Sequence, residues 1–208
     1  MDRAHDASSF ACCAPSEVDA RAKRFTTDRR FPLMRPTEDL VIEPLLSGDL
    51  VTLAQCAILD AEVFPHPSIP ALVDPTGNAP TVWVARVARG RVIGFVAAAR
   101  NMSVLEIVGL AVAPAHRRAG IARALVNTTV DAAEARRFRA VALHVSTTNA
   151  AAIALYDARG FSPARKLHGY YRSRNFGDGG NAWEMVLSLT RGHEQYEDGG
   201  IAKRVNRR

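Results

Sequence analysis

The chain of 208 residues contains no apolar run near the ~18 residues that a membrane-crossing helix needs, so no membrane span is expected. Its three cysteines, Cys12, Cys13 and Cys56, are odd in number and have no CxxC spacing. That excludes a disulfide scaffold, argues against a zinc site, and suits a reducing, cytoplasmic setting. His5, His66, His116, His168 and His193 stand without ligand spacing, so no metal is expected. Neither GxGxxG nor a GKS/GKT loop occurs, which removes the dinucleotide fingerprint and the Walker phosphate loop. There are no internal repeats. The start, MDRAHDASSFACCAPSE, lacks the apolar stretch of about 7–15 residues of a secretion signal, and none is expected. The charge is +6, from 27 basic and 21 acidic residues. No basic patch interleaved with aromatics and no helix-turn-helix accompanies it, so nucleic acid is not the expected partner. A few arginines around one phosphate-bearing small molecule account for the excess equally well.

What is present is an ordinary globular composition, 48% hydrophobic and 23% charged, of a size for one domain. Residues 1–38 read as a flexible extension, with a short helix near Ser16–Asp28 where Val18 and Phe25 share a face, and residues 191–208 as a polar tail. Between them, residues 39–190 alternate strand and helix signals. Leu40–Leu45 reads as a strand, and Ser47 as the cap of a helix to Val63. The proline-rich Phe64–Pro80 is a loop. Thr81–Ala88 and Arg91–Arg100 form a hairpin over Arg89-Gly90, followed by a strand at Val104–Ala113. Ala119–Arg137 is a helix with Ile121, Leu125 and Ala132 on one face, and Ala140–Ser146 a strand. Asn149 caps a helix through Arg159, which Gly160 ends. Phe161–Leu167 and Ala182–Leu189 are the last strands. The order implies a mixed α/β sheet rather than a doubly wound one.

The segment Ile107–Ala122, IVGLAVAPAHRRAGIA, carries the chemistry most visibly. A buried strand runs through a short turn into a helix. Unpaired amides at a helix N-terminus, aided by the helix dipole, attract an anion. Gly120 has no Cβ, so a phosphate can approach the backbone, while Arg117 and Arg118 supply charge-assisted donors.

These residues resemble motif A of the GCN5-related N-acetyltransferases, the GNAT family, whose Gln/Arg-x-x-Gly-x-Gly/Ala loop holds the pyrophosphate of acetyl-CoA. The likeness continues through Leu143-His144-Val145-Ser146-Thr147-Thr148-Asn149 and Ala152-Ile153-Ala154-Leu155-Tyr156 to Gly160-Phe161 and Tyr170-Tyr171. There the chain is most similar to the N-terminal protein acetyltransferases, both the ribosomal-protein-alanine type of bacteria and the eukaryotic Met-starting types. It is strong over residues 104–190 and weaker over 40–103. The resemblance implies a single GNAT-type α/β domain: a mixed, mostly antiparallel sheet, split at two central parallel strands and flanked by helices. It implies acetyl-CoA as co-substrate, bound in the split between Val104–Ala113 and Ala140–Ser146. The loop residues Arg117, Arg118, Ala119, Gly120, Ile121 and Ala122 would hold it. A backbone amide of Leu110, Ala111 or Val112, where the family's strand bulges, would polarise the thioester. Asn149 would contact the pantetheine arm.

Acetyl transfer to an amine needs a base for the ammonium, a polarised carbonyl and a leaving thiolate. Glu106 is the one charged residue in Val104–Ala113. Inside an apolar strand its desolvation should raise its pKa and improve it as a base near neutral pH. The histone-modifying branch of the family has its catalytic glutamate in this register; the Met-starting types have tyrosine there. His144, with an ordinary pKa of ~6.5, is the second candidate base. The Met-starting types share this histidine, and the bacterial type has glutamate. Tyr156 follows Asn149 by seven residues, on the same helix face. The family uses this tyrosine beside the CoA sulfur as general acid or thiolate donor. No covalent intermediate, and so no cysteine, is implied.

An α-amine, with pKa ~7.7–8.0, is easier to deprotonate than a lysine at ~10.4. By resemblance, Tyr170 and Tyr171 line a peptide groove, and Phe64-Pro65 belongs to the substrate loop. The relatives place an aromatic three positions after that proline, where this chain has Ser68. The expected activity is acetyl transfer in a ternary complex to a protein or peptide N-terminus, with ribosome association and a monomer or homodimer both open. A small-molecule amine acetyltransferase and a non-catalytic acyl-CoA-binding regulator are the alternatives.

Overall fold

The computed structural model describes residues 23–25, 40–64, 80–87, 90–171 and 179–189. Among the described residues, eight strands form one sheet: β1 (Lys23–Phe25), β2 (Leu40–Pro44), β3 (Thr81–Val87), β4 (Val92–Asn101), β5 (Val104–Val112), β6 (Ala140–Ser146), β7 (Ser162–Leu167) and β8 (Ala182–Ser188). Three α-helices accompany them among these residues, α1 (Leu50–Val63), α2 (Ile121–Ala135) and α3 (Ala150–Asp157). The spatial order is β1-β2-β3-β4-β5-β6-β8-β7. Every neighbouring pair is antiparallel except β5 and β6, which are parallel and central. This is the mixed, centrally split sheet expected from the sequence.

The alternation of side chains decides which helix covers which face. Val96 and Ala98 of β4, Leu105 and Ile107 of β5, and Val141, Leu143 and Val145 of β6 share one core with Ile121, Leu125, Val126 and Val130 of α2 and Tyr156 of α3. Phe95 and Ala97 of β4 and Ala111 of β5 point the other way, onto Cys56 and Leu59 of α1. So α2 and α3 lie on one face and α1 on the other. Leu125 has no exposed surface, and filling such a site with an aliphatic side chain is worth about 1.5–3 kcal/mol.

Two local expectations are corrected. The cap of α1 is Asp49, not Ser47: the helix starts at Leu50, and Asp49 Oδ1 accepts from the Thr52 amide at 3.0 Å. A carboxylate there also meets the positive end of the helix dipole, which a serine hydroxyl does less well. Within the span expected to be helical at Ser16–Asp28, residues 23–25 are strand, paired antiparallel to β2. An open sheet edge supplies ladder partners that a weak helical period does not match. The rest of residues 1–38, the loop 65–79 and residues 191–208 lie outside the described residues.

Candidate active site

β5 and β6 stay in parallel register from Val104–Ala140 to Ile107–Leu143 and then part, although β5 runs on to Val112 and β6 to Ser146. A bulge in β5 accompanies the parting. Ala98 faces Ile107 and Ala97 faces Gly109, so Val108 is the extra residue. The bulge therefore lies at Val108, two residues before the expected Leu110–Val112. It resets the side-chain alternation, so that Leu110 and Val112 pack on the same core as Ile107. Where the strands part lies a cleft of about 550 Å³, lined among others by Leu110, Val112, Arg117, Ala122, His144, Asn149 and Tyr156.

At one end of the cleft the loop before α2 forms a cradle. Gly120 is the N-cap of α2 at φ 82°, a left-handed conformation, and no side chain caps the helix. The first-turn amides, Ile121 and Ala122 among them, therefore have neither a carbonyl one turn back nor a capping oxygen. Arg118 also sits at positive φ, 65°. Arg117 and Arg118 are exposed, and no acidic residue stands in the first turn. Arg117 Nε donates to the Val112 carbonyl at 3.2 Å, which ties the loop to the end of β5. An uncapped helix start beside two guanidinium groups suits a phosphate. Ala119 packs partly against the core. Ile121 and Ala111 are buried, Ile121 under α2 and Ala111 on the α1 side, so only their backbones are available to a ligand.

At the other end, Glu106 and His144 project on the face opposite α2 and α3, because their strand neighbours all point into that core. Glu106 is level with Ala142 in the parallel register, so His144 is its diagonal neighbour. Glu106 Oε1 lies 3.2 Å from His144 Nδ1. The same Nδ1 is 3.2 Å from the Tyr170 hydroxyl, and the two rings stack at 4.7 Å with a 32° tilt. Tyr171 donates its hydroxyl to the His144 carbonyl at 3.2 Å and meets Tyr170 edge-on.

The Glu106 carboxyl is held below the ordinary glutamate range, not raised as its apolar strand suggested. The hydrogen bond to His144 is the largest cause, with smaller help from the imidazole charge and Asn101, against a desolvation that works the other way. The strand is apolar, but its Glu106 side is the open face, where hydrogen-bond partners stabilise the anion.

Tyr156 reaches the cleft from α3 and is 6% exposed. Burial, then the nearby Tyr171, pushes its hydroxyl well above the usual phenol range, so it stays protonated at neutral pH. Asn149 is the N-cap expected: its Oδ1 accepts from the Ala152 amide at 3.1 Å. The spacing of seven residues brings Asn149 and Tyr156 to the same cleft. Phe64, at the C-terminal end of α1, lines it as well, whereas Pro65 lies outside the described residues. Cys56 is fully buried with its thiol pushed up to about 11, chiefly by desolvation, which makes it inert.

Sequence reasoning missed the groups that hold these side chains. Asn181 Oδ1 accepts from the Gly169 amide at 3.0 Å, and its carbonyl accepts from the Thr147 amide at 3.1 Å. It joins the turn that carries Tyr170 to the loop that carries Asn149. Glu184 of β8 faces His144 directly in antiparallel register and pairs with Arg165 of β7. Both depend on contacts between distant segments, and the one local hint was the Gly-Gly pair before Asn181.

A model of the acetyltransferase (GNAT) family matches residues 53–161, a little over half of the chain. N-acetyltransferase family 8 member 3 of Mus musculus is 35% identical over 98 residues, 44% of this chain and 43% of that protein. The ribosomal protein bS18-alanine N-acetyltransferase of Escherichia coli (strain K12) is 34% identical over 82 residues, 39% of this chain and 55% of that protein. The chain thus spans about half the length of the curated relatives it matches. Among solved structures, the ribosomal-protein-S18-alanine N-acetyltransferase from Escherichia coli superposes with a TM-score of 0.62 at 24% identity, over 76% of this chain and 99% of that one.

Proposed function

Because the chain belongs to the GNAT acetyltransferase family, we propose that it moves the acetyl group of acetyl-CoA to the α-amine of a protein or peptide N-terminus. The observation that carries this reading is the Glu106–His144 pair beside Tyr170 and Tyr171, on the open face where β5 and β6 part, with Tyr156 entering the same cleft from α3. The likeness to a bS18-alanine N-acetyltransferase supports a protein N-terminus as acceptor.

In this mechanism the uncapped start of α2, with Gly120, Arg117 and Arg118, holds the pyrophosphate of acetyl-CoA, and Asn149 holds the pantetheine arm. The acceptor backbone lies along Tyr170 and Tyr171, with Phe64 also lining the cleft. The Glu106–His144 pair takes the ammonium proton, and the freed amine attacks the thioester carbon, forming the C–N bond. A backbone amide of Leu110–Val112 hydrogen-bonds the oxygen that gains the charge. As the C–S bond breaks, Tyr156 gives its hydroxyl proton to the sulfur and regains one from the attacking nitrogen. The products are the amide, free CoA and one proton. The reaction suits a cytoplasmic setting, where acetyl-CoA and nascent N-termini meet, and ribosome association would bring the enzyme to them.

The test is incubation of the purified protein with acetyl-CoA and a peptide panel varying the first two residues. Each peptide has an N-blocked twin with a free lysine, and mass spectrometry locates the acetyl group. Acetylation confined to free N-termini is the expected result. Acetylation of the blocked twins moves the reading to lysine. Binding of acetyl-CoA with no transfer to any peptide moves it to a small amine or to a non-catalytic binder.

A further inference from the structure

His144 Nδ1 has two oxygen partners at the same distance, Glu106 Oε1 at 3.2 Å and the Tyr170 hydroxyl at 3.2 Å. A neutral imidazole nitrogen carries either a proton or a lone pair, never both. The two partners want opposite states. A carboxylate accepts, so Glu106 favours the Nδ1–H form, which leaves the lone pair on Nε2. A phenol that donates needs the lone pair on Nδ1, which moves the proton to Nε2 and turns Glu106 towards a lone pair it repels. Nε2 meets no donor or acceptor among the described residues, so its state follows from which oxygen holds Nδ1.

The two contestants are differently held. Glu106 stands on a central strand, whereas Tyr170 is 49% exposed and hangs from a turn. The turn itself is anchored on both sides of Tyr170: the Gly169 amide donates to Asn181 Oδ1 at 3.0 Å, and the Tyr171 amide to the Gly180 carbonyl at 2.7 Å. The backbone on both sides of Tyr170 is therefore fixed, while its half-exposed ring presents the hydroxyl on the face where an acceptor would lie. We propose that Tyr170 is a positioning residue that sets the tautomer of His144. In the free protein its hydroxyl contests Nδ1 with Glu106. An acceptor backbone that engages this hydroxyl hands Nδ1–H to Glu106 and leaves the Nε2 lone pair as the base.

The other groups facing His144 do not decide the contest. Glu184 of β8 lies directly across from it but is paired with Arg165 of β7, so its charge is compensated. Tyr171 bonds the His144 carbonyl and not the ring. Asn101 acts on Glu106, where it reinforces the anion that accepts from Nδ1–H. The depressed proton affinity of Glu106 agrees with a carboxylate that orients the imidazole and does not itself take the ammonium proton.

The kinetic consequence rests on the proposed acetyl transfer, but the tautomer does not, and the experiment separates them. The full chain is labelled with ¹⁵N-histidine, and the His144 ring nitrogens are assigned by their loss in His144→Gln. Spectra are then recorded without any substrate for the wild type, Tyr170→Phe and Glu106→Gln. Tyr170→Phe keeps the stacked ring and removes only the hydroxyl, so the Nε2–H population should fall at least about threefold, the ratio set by one modest hydrogen bond. Glu106→Gln should shift it the opposite way. Unchanged tautomer populations in Tyr170→Phe overturn the proposal, whether or not the protein acetylates anything. If transfer to peptides is observed, adding a non-reactive N-acetylated acceptor peptide to the wild type should reproduce the Tyr170→Phe spectrum. A wild-type spectrum unmoved by saturating peptide would refute the acceptor-driven switch.

Discussion

The Glu106 carboxylate and the His144 imidazole meet at 3.2 Å across the last paired rungs of β5 and β6, and that contact reverses the effect of burial on the carboxyl. Two strands that part immediately beyond such a pair leave its open side to a ligand. In the proposed reaction the glutamate serves as the acceptor that orients the ring, and the histidine exchanges the proton through its other nitrogen. Division of labour of this kind, one residue orienting and one exchanging the proton, is a recurrent solution to base catalysis.

Glu106→Gln removes the acceptor while keeping the shape. In the proposed reaction kcat should fall about 10²–10⁴-fold, the usual worth of a positioned acid–base group. The dissociation constant for acetyl-CoA should stay within about twofold, since Glu106 faces away from the cradle at α2. Steady-state kinetics beside calorimetric titration with acetyl-CoA check this. A fully active Glu106→Gln would remove Glu106 from the mechanism.

The same pair has a signature in stability against pH. A carboxyl with a folded pKa below its unfolded one adds stability that is in full force above the unfolded value, about 4.3 for glutamate. That stability is lost as pH falls through the depressed folded value. Glu106 is such a group. The wild type should therefore exceed Glu106→Gln in urea midpoint at pH 6, and the gap should close as pH is lowered below the ordinary glutamate range, about 4.3. Parallel midpoints across that range would mean that the hydrogen bond to His144 does not form.

The strands from β2 onward and the helices were legible in the sequence because period and punctuation agree there: Ile121 and Leu125 repeat on one face, and Gly160 stops α3 at φ 92°. The glycine start of α2 and the Asn149 cap of α3 were legible because their geometry is local, each held within a few residues of chain. What remained hidden was non-local. Nothing near Glu106 in sequence announces Asn101 and His144 as its partners, so the direction of its pKa was read from burial alone. The bulge at Val108 is a mismatch between β4 and β5 and cannot be seen in β5 by itself. Ser47 and Asp49 are both good caps, and only the starting residue of α1 separates them.

Gly120 tests the anion cradle. At φ 82° an L side chain costs roughly 1–2 kcal/mol, and a Cβ there has only the Arg123 guanidinium within 4 Å, at 3.8 Å. Space is therefore available, but the conformation is not. Gly120→Ala should lower stability by about that amount and rotate the first-turn amides off their target. Affinity for acetyl-CoA should weaken at least about tenfold, equivalent to 1.4 kcal/mol, with the peptide-side KM little changed. Calorimetry on the variant decides between this and a plain helix start, for which affinity would hold while stability fell.

Tyr156→Phe separates the acid from the packing that surrounds it. The ring is buried against Phe161 at 5.7 Å between centroids, and phenylalanine preserves that contact, so the fold should tolerate the change within about 1.5 kcal/mol. The hydroxyl holds its proton tightly because burial disfavours the phenolate. A group so reluctant to ionise does not part with its proton alone; it passes one to the departing sulfur only as it takes one from the attacking nitrogen, which is strongly acidic once bonded to the acyl carbon. Removing it should lower kcat at least about tenfold while KM for acetyl-CoA stays nearly constant, the pattern of an interaction made in the transition state. The loss should shrink with an acyl donor whose thiol has a lower pKa, because a better leaving group needs less help from an acid. A loss that is the same for good and poor leaving groups would assign Tyr156 to packing and leave the departing sulfur to solvent.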